Sequence, residues 1–307
     1  MIELRLLEAF VTVVEEGHVT RAAERLGMRQ PPLTRLIQGL EARLGCRLLR
    51  RLPRGVAPTE AGLALLEEAR SVLARAATVE DAVRRAARGE AGRLAVGFTS
   101  SAGLHPFVPT AIRYFRRTSP GVRIELDEAG TAELVEAVLA GRLDAAFVRS
   151  PVGAVAGLRF EPVLDEPMLV ALPEGHALAR QQDGPPLLLA ALAGEPFVLY
   201  RRQTGPGLYD TILAACREAG FTPEVAQEAP RLPATLSLVA AGLGVSVVPA
   251  SMRRLAVAGV AYRALADSPG PVAPVRLVLR RAGASATASR FADAVARLVA
   301  DPHAAVA

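Results

Sequence analysis

The sequence predicts an α/β protein whose N-terminal part is all-α, and three observations predict it. Over the first ninety or so positions apolar residues recur at helical spacing, broken at glycines. From Arg93 onward the period changes, and short β-branched runs alternate with helical stretches. The composition, 51% hydrophobic and 22% charged over 307 residues, is that of a folded chain long enough for two or three domains with real cores.

The first helix carries Leu4, Leu7, Phe10, Val11 and Val14 on one stripe and stops at Gly17. A short second helix runs through Ala22, Ala23 and Leu26 to Gly27, its alanines small enough for another helix to cross closely. Met28, Leu33, Leu36, Ile37 and Leu40 form the inner face of a third helix, ended by Gly45. The adjacent Pro31 and Pro32 fall in its first turn, where backbone N–H groups lack an intrahelical partner and proline loses nothing. Pro31 is expected to hold Gln30 out of helical geometry and so fix a corner between helices two and three. This is a helix-turn-helix, with Gln30, Thr34, Arg35 and Gln38 facing outward near the end that enters a major groove. Arg and Gln are the side chains that read guanine and adenine edges.

Charge distribution points the same way. All 36 basic residues are arginine, which composition bias explains, and the net charge is only +5. Yet nine arginines lie between Arg21 and Arg54 against Glu24 and Glu41, so the positive field is confined to this small unit. That is the footprint of a phosphate-backbone binder joined to a near-neutral body. In CRLLRRLPRGVAPT the turn residues Pro53-Arg54-Gly55 separate two short runs, which predicts a two-stranded wing. Its Arg50, Arg51 and Arg54 would meet phosphates or the minor groove.

Thr59 is expected to cap a fourth helix, with Glu60 in its first turn, reaching about Arg88. Leu65, Ala69, Val72, Ala76, Val79, Val83 and Ala86 step alternately by four and three, a heptad seam that predicts pairing with a second copy. Beyond it, strands are expected at 94–98, 122–126, 144–148, 168–172, 197–200, 245–249 and 275–280. Helices are expected at 104–117, 131–141, 207–219, 234–241 and 286–299, and the alternation predicts parallel sheets.

Other chemistries find little support. Cys46 and Cys216 are far apart and form no motif, and MIELRLLEAF lacks a signal peptide's layout, so a reducing, cytoplasmic location is expected. The charge-free stretch from Leu232 to Met252 is broken by Pro233, Gly242, Gly244 and Pro249 and reads as helix, turn and strand instead of a membrane span. The four histidines have no metal-ligand spacing, and no G-x-S-x-G or P-loop occurs. Gly242-Leu-Gly244 lies in the wrong strand-helix order for a dinucleotide fingerprint, and Asp144 and Glu133 read as ordinary surface or capping acids. No catalytic residue, metal or cofactor is expected.

The whole chain resembles the LysR-type transcriptional regulators. FVTVVEEGHVTRAAERLGMRQPPLTRLIQGLEARLGCRLLRR with APTEAG carries the resemblance, followed in order by FTSSAG, SPGVRIEL, AGRLDAAFV and LVAAGLGVSVVPAS. It implies a winged helix-turn-helix at 1–58, a linker and dimerisation helix at 59–89, and a two-lobed, periplasmic-binding-protein-like α/β effector domain at 90–307. Within that domain, lobe one would comprise 91–161 and 268–307 and lobe two 162–267. The implied DNA-contacting set is Arg29, Gln30, Pro31, Thr34, Arg35, Gln38, Arg50, Arg51, Arg54 and Thr59. Arg29 stands where many members have Ser, and His18 where Ser often caps the second helix; both departures leave the implied fold intact and bear on cap strength and one backbone contact. The pattern is closest to regulators of aromatic-compound degradation, in which hydroxyls after the first strand, a Thr opening the second helix and an Arg after the third strand hold a carboxylate. The matching positions are Ser100, Ser101, Thr131 and Arg149, with Gln203, Thr204, Pro206 and Leu208 facing them. Strand ends beside helix N-termini are the usual ligand edge of such a sheet, and Arg149 there would form a bidentate carboxylate clamp. Expected partners are double-stranded operator DNA, further copies of the chain as a dimer or tetramer, and RNA polymerase, with no membrane. The effector would be a small carboxylate. A transporter's solute-binding protein and an enzyme on the two-lobed scaffold are the competing readings.

Overall fold

The structure is a computed structural model that describes residues 2–149, 155–180, 184–204, 206–266 and 270–301. The side chains of Thr204 and Pro206 also lie outside what it describes. The chain forms two compact units, 1–85 and 86–307.

In the first unit, α1 (Leu4–Glu16), α2 (Val19–Arg25) and α3 (Gln30–Leu44) pack Phe10, Val13, Ala22, Ala23, Leu33 and Leu40 into one core. Gly17 and Gly45, both left-handed, end α1 and α3. The expected corner falls one residue earlier than the prolines suggested. Gln30 is helical, and it is Arg29 that stays extended (φ −84°, ψ 156°) as the residue before the helix. Pro31 and Pro32 then occupy the second and third positions, where their missing N–H groups are still among the unpaired four. Neither His18 nor Arg29 makes a side-chain cap bond, as their departure from serine implied.

The wing is the hairpin β1 (Leu49–Leu52) and β2 (Gly55–Pro58). The long helix α4 (Glu60–Ala87) follows. Thr59 caps it, accepting from Gly62 N at 3.0 Å and donating to Arg47 O at 2.8 Å. Gly62 sits so close to Leu48 O that a Cβ would lie 2.1 Å from it. Of the heptad seam, Ala69 packs on α1, while Val72, Val79 and Val83 are 42%, 60% and 64% exposed.

In the second unit, β3 (Ala91–Phe98) pairs in parallel with β4 (Gly121–Glu128) and β5 (Ala145–Val148). The helices α5 (Ser100–Gly103), α6 (Phe107–Thr118) and α7 (Thr131–Leu139) connect them. Alternate residues of β3 serve different cores: Leu94 and Val96 face α6 and the C-terminal α10 (Ala286–Ala300), and Ala95 faces α7. Phe115, Phe147 and Phe291 meet edge-to-face in the first of these.

The expectation of wholly parallel sheets is corrected by one strand. Strand β6 (Leu158–Pro173) is 16 residues long, and its first part pairs antiparallel with β11 (Val272–Arg280), which itself runs antiparallel to β5. From Met168 onward β6 pairs instead with β9 (Ser246–Pro249) and β10 (Val260–Ala264), both antiparallel. The chain thus passes between two cores inside a single strand, at Pro167/Met168, six residues after the expected 161/162 boundary. The second core gathers β7 (Pro196–Tyr200), α8 (Pro206–Glu218), β8 (Glu224–Ala229) and α9 (Leu232–Ala240) around Leu172, Phe197, Leu236 and Val247. The charge-free stretch forms α9, a Gly turn and β9, and no described helix is long and apolar enough to cross a membrane.

Candidate functional site

Two surfaces collect the candidate residues. The first lies on the N-terminal unit. Burial of Leu33, Ile37 and Leu40 turns the opposite face of α3 outward, leaving Gln30, Pro31, Arg35 and Gln38 exposed, with Arg29 just before them. Thr34 is half-buried and donates to Gln30 O at 3.0 Å, while Gln30 Oε1 accepts from Thr20 at 3.4 Å, tying the turn together. A concave surface runs from Gln30, Thr34 and Gln38 to Arg50 and Arg51 on the wing. Among the described residues, the guanidiniums of Arg29, Arg35, Arg50, Arg51 and Arg54 have no hydrogen-bond or ion-pair partner and are exposed. Arg25 and Arg47 are different, paired with Glu16 and Glu41 at 3.1 Å. Thr59 spends its hydroxyl within the fold.

Sequence reasoning counted Glu41 only as a charge, but its carboxylate is 8% exposed and structural. It accepts from Leu48 N at 2.8 Å and Leu49 N at 3.2 Å, holding the turn that aims the wing.

The second surface is a cleft of about 410 Å³ of empty space, mouth included. One wall is Thr99, Ser100, Ser101, Gly130, Thr131 and Arg149, all at the C-terminal ends of β3, β4 and β5. The other is Tyr200, Leu208, Arg231 and Leu232 from the second core. The structure therefore brings Ser100, Ser101, Thr131, Arg149 and Leu208 together. Gln203 lies elsewhere, in an exposed hollow with Arg201, Arg202 and Glu228. Thr204 and Pro206, as side chains, are outside the described residues.

Within the cleft the hydroxyls of Ser101 (6% exposed) and Thr131 (4%) make no hydrogen bond among the described residues. Thr131 opens α7, and burial drives the Tyr200 phenol far above its ordinary pKa, so it stays neutral. Arg149 is only 2% exposed and is already engaged. It forms an ion pair with buried Glu166 and donates to Ala273 O and Ser101 O at 2.9 Å and to Ser251 Oγ at 3.3 Å. Burial pulls its pKa down and Glu166 opposes that fall. Glu166 also accepts from Ser251 N. Only Nε of Arg149 is left without a partner, and that atom is itself buried, so the guanidinium does not present the expected two-pronged clamp to the cleft. Sequence reasoning missed Glu166, Tyr200 and Arg231, which belong to segments it read as loop or plain strand.

A helix-turn-helix with unpaired arginines, joined to a two-core α/β unit with a cleft between its cores, defines a ligand-responsive DNA-binding protein. Comparison with known proteins agrees. Residues 4–63 match the model of bacterial regulatory helix-turn-helix proteins of the lysR family, and residues 87–300 match the LysR substrate binding domain. The chain is 42% identical over 257 residues to the uncharacterized HTH-type transcriptional regulator YnfL of Escherichia coli K12, covering 83% of this chain and 84% of YnfL. The structure of CbnR, a LysR family regulator, complexed with its target DNA superposes with a TM-score of 0.80 at 30% identity, covering 97% of this chain and all of that one. The BenM effector binding domain with its effector benzoate superposes at 0.60, 27% identical, covering 68% and 92%.

This chain belongs to the LysR family of transcriptional regulators. It is a DNA-binding regulator with an effector-binding domain, a non-enzymatic protein, and the solute-binding reading falls away.

Proposed function

We propose that the chain reads its operator with Arg35, Gln30 and Gln38 on α3, anchors to phosphates through Arg29, Arg50, Arg51 and Arg54, and works in the cytoplasm as a dimer or tetramer. Support comes from the five unpaired, exposed guanidiniums of this unit, two of which, Arg50 and Arg51, line the concave surface beside α3, and from the uncovered valines of α4. Pro31 and Thr59 fit this reading as shaping residues, one starting the reading helix and the other fixing the wing to α4.

The effector domain is proposed to comprise the two lobes that flank the cleft and to bind a small carboxylate there. The single observation that carries this is the pair of hydroxyls of Ser101 and Thr131, two buried residues of the cleft lining that spend no hydrogen bond within the described residues, opposite an apolar wall of Leu208 and Tyr200. Ser100 completes the polar side. An aromatic acid suits such a cleft, and the likeness to the benzoate-bound BenM domain supports that class. The experiment is a gel shift with DNA upstream of the chain's own gene, repeated with a panel of aliphatic and aromatic carboxylates. Salt-sensitive binding that a carboxylate alters supports the reading; absence of any binding to duplex DNA overturns it.

A further inference from the structure

Arg149 is spent on Glu166, so the charge of an incoming carboxylate has to be met by another cation. We propose that Arg231 is that cation and that Glu128 is the internal anion the ligand displaces from it, an inference that rests on reading the cleft as the effector site. Arg231 is the only other cationic side chain lining the cleft among the described residues. It stands before the first turn of α9, with its side chain making no cap bond to that helix. Its guanidinium lies 3.6 Å from Glu128 Oε1, with both side chains about half exposed (48% and 49%). That oxygen also accepts from Ser100 Oγ at 2.5 Å.

The two arginines are therefore unlike. Opening the buried Arg149–Glu166 pair strands a desolvated charge, whereas a long, half-exposed pair is weak and exchanges easily. A ligand carboxylate approaching Arg231 from inside the cleft meets a guanidinium that Glu128 holds through only one oxygen, which leaves an N–H edge to pair with. It can take a two-pronged geometry there. The rest of such a ligand would lie against Thr131 and Ser101, whose hydroxyls are unpaired, and Leu208.

The exchange also has a mechanical side. Glu128 ends β4 in the first lobe, and Arg231 belongs to the second. The 3.6 Å contact between them bridges the lobes directly. With ligand present the bridge runs through the ligand, from Thr131 on one wall to Arg231 on the other, and Glu128 with Ser100 is released. A ligand that binds this second arrangement better than the first shifts the equilibrium between them by that difference in affinity.

The test uses the full chain and calorimetric titration with acetate, succinate and benzoate, with benzamide as the neutral control. Glu128→Gln keeps an acceptor for Ser100 while removing the competing charge, Arg231→Gln removes the cation without touching a cap, and Thr131→Val reports on the cleft itself. Expected for the tightest-binding carboxylate are about threefold tighter binding by Glu128→Gln and about tenfold weaker binding by Arg231→Gln, with benzamide unchanged in both. Equal affinity across the unsubstituted chain, Glu128→Gln and Arg231→Gln, with Thr131→Val weakened, overturns the role of Arg231 and leaves the cleft standing. Undiminished binding by Thr131→Val, or no binding of any carboxylate to any of these proteins, overturns the cleft reading and this proposal with it.

Discussion

Single residues divide the N-terminal unit into those that read and those that hold. Replacing Arg35 by Ala should weaken operator binding by about 1–3 kcal/mol and relax preference at one base pair, whereas Arg54→Ala should weaken all sequences alike, both measured by gel shift across operator variants. Equal loss on every variant with Arg35→Ala would remove it from base reading. Glu41 is of the second kind. Glu41→Ala leaves the N–H groups of Leu48 and Leu49 without an acceptor and should lower stability by about 1–3 kcal/mol in urea unfolding. Gly55 is likewise fixed by shape: at φ 108° a Cβ would lie 2.2 Å from Gly17 O, so Gly55→Ala should disorder the wing. The two thiols should separate by reactivity. Burial pushes the Cys216 thiol up to about 11 and shields it, so a thiol reagent should modify only exposed Cys46 in the folded chain and both cysteines once it is unfolded.

At the scale of elements, what was legible followed from period and punctuation. The three helices of the reading unit, the wing and α4 all announce themselves through apolar spacing and glycine stops. Strands β3, β5 and β9 do so because both their faces are buried and their runs are unbroken. Strands β8 and β10 were not foreseen, since EVAQEA is largely exposed and VAYRA is short and interrupted by Arg263. The first half of β6 was hidden too, because EPVLDEP carries acids and prolines that elsewhere mark turns. In the cleft, Ser101 and Thr131 were reachable through their place at strand ends and helix starts. Glu166 was not, because its partner is 17 positions away in sequence and only the fold brings them together. At the same scale α4 makes a clear statement: Val79→Glu with Val83→Glu should leave the helix intact by circular dichroism and reduce the assembly size in analytical ultracentrifugation. Unchanged assembly would show that these valines are not an interface.

For the whole molecule, the Arg149–Glu166 pair is where elements of both sets of strands converge. Arg149 follows β5, Glu166 lies on β6, Ser251 follows β9, and Ala273 is on β11. Arg149→Met alone would leave Glu166 buried without a counter-charge and should destabilise the chain by about 3–5 kcal/mol, whereas Arg149→Met with Glu166→Met should recover most of that in urea unfolding. No recovery in the double variant would mean the pair is not the unit that matters. Glu166 stands one residue before Pro167, where β6 leaves one set of neighbouring strands for another. An unbroken strand resists stretching and sideways slip yet yields to torsion. Any turning of one core against the other would therefore centre near Glu166, and the displacement it causes would grow with distance toward the cleft mouth.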